Sequence, residues 1–200
     1  MMDKNQAIRI ISECAKKYES NLLNKNLLII FDNNSKIDYI EILFEAHNFL
    51  HFTGIEKPNK ISATDFLKLA LDSKLPTNAI KFKSNGTTQM KLDILKDCMN
   101  IDKKARMIGD YDNSKLKLQT DKLVGHTSLS IGVIKNKNTY YAPNTLLKED
   151  IRNISLKPTK RILAIYKKDK LDKSYSSKPT FIAKNIDISN LPYEIIEKLN

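Results

Sequence analysis

The chain holds three histidines, His47, His51 and His126. His51 sits in the stretch FLHFTG, residues 49–54, with a hydroxyl two residues on at Thr53 and a turn-permitting glycine at Gly54. Histidine exchanges protons near neutral pH. His126 is followed by Thr127 and Ser128, and a later stretch, YYAPN, offers Tyr141 and Asn144. Lys122, Lys148 and Arg152 supply cations that pair with phosphate, and Asp121 lies beside Lys122. This set suits cleavage of a phosphodiester that carries its own nucleophile, such as the 2′-OH of RNA. That reaction needs a base, an acid and positive charge for the phosphorane, and no cofactor.

Each group also has a plainer explanation. His51 alone reads as a histidine at the end of a buried strand, and His126 as a loop residue facing water. His47, in EAHNF, reads as a surface residue. The tyrosines of YYAPN can simply cover the core, and the lysine-rich KNKN and KKDKLDK are commonly solvated loops. Asp110, Asp112 and Asp121 can hold a metal, but GDYDNSK is equally an acidic turn, and we expect no metal site. The five glycines are too dispersed for a phosphate loop or a dinucleotide fingerprint. There is no HExxH and no nucleophile elbow.

The elements that must position these residues follow from periodicity. Residues 3–24 read as an amphipathic helix, with Ala7, Ile8, Ile11, Ala15, Tyr18, Leu22 and Leu23 on one face. Leu27–Phe31 and the run from Ile37 to Ile42 read as a hairpin around the polar loop Asp32–Ser35. Its apolar residues fall on both faces, so at least one strand should be covered on both sides. FLHFTG reads as a strand end. ISATDFLKLALDSKL reads as a helix capped by Ser62, with Asp65 close to a capping box. IKFKSNGTTQ reads as a strand ending in an Asn85-Gly86 turn. TTQMKLDILKDCMNI reads as a helix burying Met90, Leu92, Leu95 and Met99. From Arg106 the pattern is mostly β: RMIGDYDNSKLKLQTDKLVG, SLSIGVIKNKNTYYAPN with a turn near residues 135–138, KRILAIYKK and PTFIAKN. The polar DKLDKSYSSK between the last two reads as a mobile loop, and LPYEIIEKLN as a closing helix. The order favours an α+β fold with N-terminal helices packed on a curved antiparallel sheet. We read one domain over 1–200: a helix to about 25, a core over about 26–186, and a helical tail over 187–200.

Composition sets the outer bounds. The 200 residues are 41% hydrophobic and 28% charged, which fits a folded chain rather than a disordered one. Lys and Arg outnumber Asp and Glu by 34 to 23, for a net charge of +11. Such a chain attracts phosphate, although a lysine-rich solvated surface gives the same number. Cys14 and Cys98 lack metal-ligand spacing and read as two buried thiols, consistent with a cytoplasmic protein. No secretory leader or membrane-spanning run is expected.

The stretches NFLHFTG, ISATDFLKLALDSKL, NGTTQMKLDIL, RMIGDYD, LKLQTDKLVGHTSLSIGV, YYAPNTLLKEDIR and TFIAKN resemble, in order and spacing, a phage-associated family. It is the one named for barnase, EndoU, colicin E5/D and RelE, in its PBECR4 group. The resemblance spans roughly residues 20–186. It implies N-terminal helices on a curved antiparallel sheet, metal-independent RNase activity, and genes of phages or mobile elements in low-GC bacteria. The family pattern falls on His51, Thr53 and Gly54, on Asp121 and Lys122, and on Tyr141, Pro143 and Asn144; it does not demand His126.

The expected function is therefore cofactor-free cleavage of RNA inside a bacterial host. His51 would act as base or acid, Lys122 and Lys148 would bind phosphate, and Thr53, Tyr141 and Asn144 would position the substrate. RNA is the expected partner, with a host or immunity protein as a second and no membrane. Two alternatives stay open. One is a non-catalytic phage protein that occupies a host nucleic-acid or defence complex. The other is an NAD-dependent ADP-ribosyl transferase-like enzyme, for which Glu149 is the nearest late acid.

Overall fold

The computed structural model describes residues 2–114, 118–136 and 140–199. Helix α1 (Lys4–Asn21) opens with a capping box: Asp3 accepts from the Gln6 backbone, and Gln6 accepts from that of Asp3. Its buried stripe is Ala7, Ile11, Cys14, Ala15 and Tyr18. Strands β1 (Lys25–Asn33) and β2 (Lys36–Phe44) follow as an antiparallel hairpin. The connection is only Asn34-Ser35, both at positive φ, the geometry whose twist suits paired strands. Strand β1 is buried on both faces: Leu27, Ile29 and Phe31 join the main core, Leu28 and Ile30 a second one.

Helix α2 (Asn48–Thr53) replaces the expected strand end. A short apolar run cannot separate the two periods by itself. Burial settles it: Asn48, Phe49, Leu50, Phe52 and Thr53 are all buried, leaving His51 alone on the outer side. Tyr18 clamps this turn, with its ring 5.2 Å from Phe49 and its hydroxyl donating to the Glu45 carbonyl at 2.8 Å. Gly54 stops the helix at φ +68°, the left-handed cap that favours glycine.

Helix α3 (Ala63–Leu71) has the expected Ser62 cap, which accepts from the Asp65 backbone at 3.0 Å. The segment expected as a strand at IKFKSNGTTQ forms none. A single 3-10 turn, Thr77–Ala79, precedes it, and Ile80 anchors the irregular chain in the core. Its backbone finds one cross-chain partner, Glu56 N to Lys81 O, so no ladder can form. Helix α4 (Thr87–Cys98) buries Thr88, Lys91, Leu92, Leu95 and Cys98. Met90, expected in the core, is 48% exposed instead. Helix α5 (Ile101–Lys104) ends the helical half.

The remaining strands are β3 (Met107–Asp110), β4 (Lys122–His126), β5 (Leu129–Lys135), β6 (Tyr141–Leu147), β7 (Lys160–Asp169) and β8 (Phe181–Ile182). Helix α6 (Ile151–Ile154) and helix α7 (Tyr193–Leu199) complete the chain. Parts of the KLKLQ and KNKNT readings fall on 115–117 and 137–139, outside the described residues.

The fold is α+β, but the sheet is not an open antiparallel one. Its order is β1-β2-β6-β5-β4-β3-β7, and β1 also pairs β7, which closes seven strands into a barrel; β8 extends from β7. One joint is parallel, β2 to β6 at Ile42 and Tyr141. Closure removes the free edges that an open sheet would leave. Helices α1–α4 pack on the main core, while residues 175–199 lay Tyr175, Leu191 and Ile195 on the second. The DKLDKSYSSK loop is thus anchored: Tyr175 is buried and donates to Glu41 at 2.7 Å. Cys14 and Cys98 are free and buried, and loss of water pushes the Cys14 thiol up to about 11. Among the described residues no helix is long and apolar enough to cross a membrane.

Candidate active site

A cleft of about 550 Å³ opens where α2, α4 and β6 meet. His51, Lys57, Lys83 and Lys91 line it, with Gln119, Thr120, Asn144 and Thr145 on the facing wall. No carboxylate is among its described lining residues.

Lys91 is the unusual member. It lies on the buried stripe of α4, three residues after Thr88 and four before Leu95, and only 8% of it is exposed. Its ammonium donates to the His51 carbonyl at 2.8 Å and to Thr145 Oγ1 at 3.2 Å. It makes no ion pair among the described residues. An ammonium has three protons, so one donor remains. Loss of water, then the charge of Lys83, lowers its pKa to about 8. Room for its stem comes from Gly54, where a Cβ would lie 2.9 Å from Lys91 Cδ.

His51 is the exposed residue of α2, yet dense surroundings hold its pKa below the ordinary 6.5. Lost hydration contributes most, followed by the charges of Lys91, His47 and Lys83. Helix α2 is fixed to the facing strand by Asn48, which is buried, donates to the Pro143 carbonyl at 2.9 Å and accepts from Glu45 N at 2.7 Å.

That strand is irregular where it matters. Gly132 of β5 faces Thr145 and Val133 faces Pro143, so Asn144 is an extra residue, a bulge in β6. Bulges re-aim side chains, and they concentrate beside functional sites. Asn144 Nδ2 donates to the Gln119 carbonyl, and its Oδ1 accepts from Thr120 at 3.2 Å. This draws residues 118–120 in as the far wall. Gly132 makes the approach possible: a Cβ there would sit 2.6 Å from Thr145 and 2.8 Å from Thr120.

The residues expected from sequence divide. His51 and Asn144 face the cleft. Thr53 lies beside it but is fully buried; its hydroxyl donates to the Leu50 carbonyl and accepts from Ile55 N, which makes it a helix-end brace. Tyr141 and Lys122 line a different hollow of about 490 Å³, with Lys135 and Lys160. Lys122 there is paired with Asp110 at 2.6 Å, which holds the Asp110 carboxyl below its usual range. Asp121 accepts from the Lys135 backbone at 2.7 Å. His126 ends β4 and does not line the cleft. Its Nδ1 lies 3.2 Å from Ser128 Oγ, and burial lowers its pKa. Lys148 pairs with Asp93 at 2.9 Å, and Arg152 forks onto Asp150. Glu149, the acid of the NAD-dependent alternative, does not line the cleft and accepts from Asn153.

Lys91, Lys83, Lys57, Gln119, Thr120 and Thr145 were not singled out from sequence. Lys91 carried a readable signal, since a lysine interrupts an otherwise buried helical stripe. The others carried none, because loop lysines and threonines are ordinary surface residues.

The class is a closed α+β barrel whose helical side carries a basic cleft, lined by a histidine and three lysines with no carboxylate among the described lining residues. The chain belongs to the family described as phage-Barnase-EndoU-ColicinE5/D-RelE like nuclease4, PBECR4, whose model matches residues 10–184. No curated protein and no solved structure matches the chain.

Proposed function

We propose that this chain is an endoribonuclease of a phage or mobile element, cleaving RNA by attack of its 2′-OH without a metal. The observation that carries the reading is the buried, carboxylate-free ammonium of Lys91 in the same cleft as His51.

The reaction assigns roles by charge state. With its pKa held low, His51 is neutral near pH 7 and accepts the 2′-OH proton as that oxygen bonds to phosphorus. Lys91, titrating near 8, is still largely charged. Its remaining proton faces the phosphorane, stabilises the added negative charge and can pass to the 5′-oxygen as the P–O5′ bond breaks. The products are a 2′,3′-cyclic phosphate and a free 5′-hydroxyl. Lys57 and Lys83 hold flanking phosphates, and Asn144 and Thr120 position the sugar. Lysines, amides and hydroxyls are poor company for a divalent cation, which favours clustered carboxylates.

The test is cleavage of labelled RNA with and without chelator by the wild type, His51→Ala and Lys91→Met. Chelator-resistant cleavage that falls at least a hundredfold in each variant is expected. Undiminished cleavage by both variants sinks the assignment. Tight RNA binding with no turnover by the wild type returns the non-catalytic alternative.

A further inference from the structure

A second hollow of about 740 Å³ adjoins the cleft, lined by Met2, Phe82, Lys83, Ser84, Gly86, Thr88, Gln89 and Met90. Lys83 lines both spaces. The partition between them is thin. Thr88 Oγ1 accepts from Lys83 N at 2.9 Å and donates to the Gly54 carbonyl at 2.7 Å, and Gly54 already lines the cleft.

The chemistry changes across that partition. The cleft is cationic and polar. The hollow offers the half-buried ring of Phe82 and the thioethers of Met90, 48% exposed, and Met2. A side chain on Gly86 would meet nothing within 4 Å, so this flank is open. No carboxylate is among the described lining residues, and the only charged one is Lys83.

We propose that this hollow is a subsite for an unpaired nucleobase, stacked on Phe82 against Met90, whose own phosphate is held by Lys83 at the mouth of the cleft. The proposal rests on the nuclease reading and adds the substrate class: single-stranded RNA. Its support is continuity. A flat apolar face beside a lysine shared with an anion cleft matches a base joined to a phosphate. Aromatic rings hold bases through stacking, which tolerates any base. Sulfur is polarizable and packs well against aromatic faces. A base locked in a duplex cannot enter, because it must leave its stack first.

The experiment separates binding from cleavage. A short 2′-O-methylated RNA strand, whose blocked hydroxyl cannot attack, is titrated beside an abasic strand with the same number of phosphates. The wild type should prefer the base-bearing strand by about tenfold. Phe82→Leu should remove that preference while leaving abasic binding unchanged. Met90→Ala, at an exposed position, should do the same without touching the core or adding charge. Lys83→Gln should weaken both strands. Equal binding of the two strands by the wild type overturns the subsite, as does an undiminished preference in both the Phe82 and Met90 variants. If RNA cleavage persists in either case, the subsite falls alone. If the wild type neither binds either strand nor cleaves RNA, the nuclease reading falls with it.

Discussion

At Lys91 an ammonium is held among Thr145, the His51 carbonyl and the cap of α2, with no carboxylate among the described residues lining the cleft. Folding alone does not favour this, since burial of an unpaired charge costs stability. The lowered pKa states the sign. Between about 8 and the ordinary 10.5, the unfolded chain holds the proton that the folded chain has released, so stability rises with pH across that window. Lys91→Met should therefore be far less active yet more stable than the wild type at pH 7, by on the order of 1–3 kcal/mol after the lost hydrogen bonds are discounted. Urea unfolding at pH 7 and pH 10 checks this, and the advantage should shrink at the higher pH. The same two groups set the rate profile. His51 must be neutral and Lys91 charged, so kcat/KM should climb as pH passes a value below 6.5 and decline above about 8. Lys91→Met should lose the alkaline limb along with most of its rate.

One short helix and one bulge carry the geometry. Helix α2 has six residues, too few to hold its place by itself, and its position comes from Tyr18, from the Gly54 cap and from Asn48 bonded to the bulge at Pro143. Asn48→Ala would leave a buried carbonyl without its donor and free the start of α2. A loss of about 1–3 kcal/mol in thermal or urea unfolding is expected. At temperatures where the variant stays folded, kcat should still drop about tenfold, because His51 is no longer held at its angle. An unchanged kcat would show that the α2 to β6 link is only structural. The bulge explains why two consecutive residues, Asn144 and Thr145, both line the cleft, where regular alternation would turn one of them away.

At the scale of the molecule, the pairing of β1 with β7 closes the barrel, and the C-terminal segment seals its second core. That segment extends beyond residue 184, where the family match ends. Ile195 is 1% exposed against Leu28, Ile30 and Tyr166, and Glu41 accepts from both Tyr175 and Lys198. Ile195→Ala should cost about 2–4 kcal/mol in denaturant unfolding. Since this face lies away from the residues of the cleft, kcat/KM per folded molecule should stay at the wild-type value. A matching fall in kcat/KM would show that the seal also shapes the site.

The sequence by itself determined most of the local elements and two residues of the candidate site. The Ser62 cap of α3, the polar turn within residues 32–35 and the helical periods of α1 and α4 are encoded within a few residues, where propensity and hydrogen bonding act directly. The family was legible in ordered motifs, and His51 and Asn144 in their chemistry. Only the tertiary structure decided that FLHFTG is a helix, that the sheet closes, and that Tyr141, Lys122, His126, Lys148 and Arg152 stand apart from His51. It also decided that Lys91 is buried in the cleft beside His51. The physical reason is range. The bonds that build the cleft join residues 40, 54 and 95 positions apart, His51 with Lys91, Lys91 with Thr145 and Asn48 with Pro143. Periodicity reports which face of an element is apolar, whereas the lack of a carboxylate around Lys91 among the described residues depends on which distant elements the barrel brings beside it.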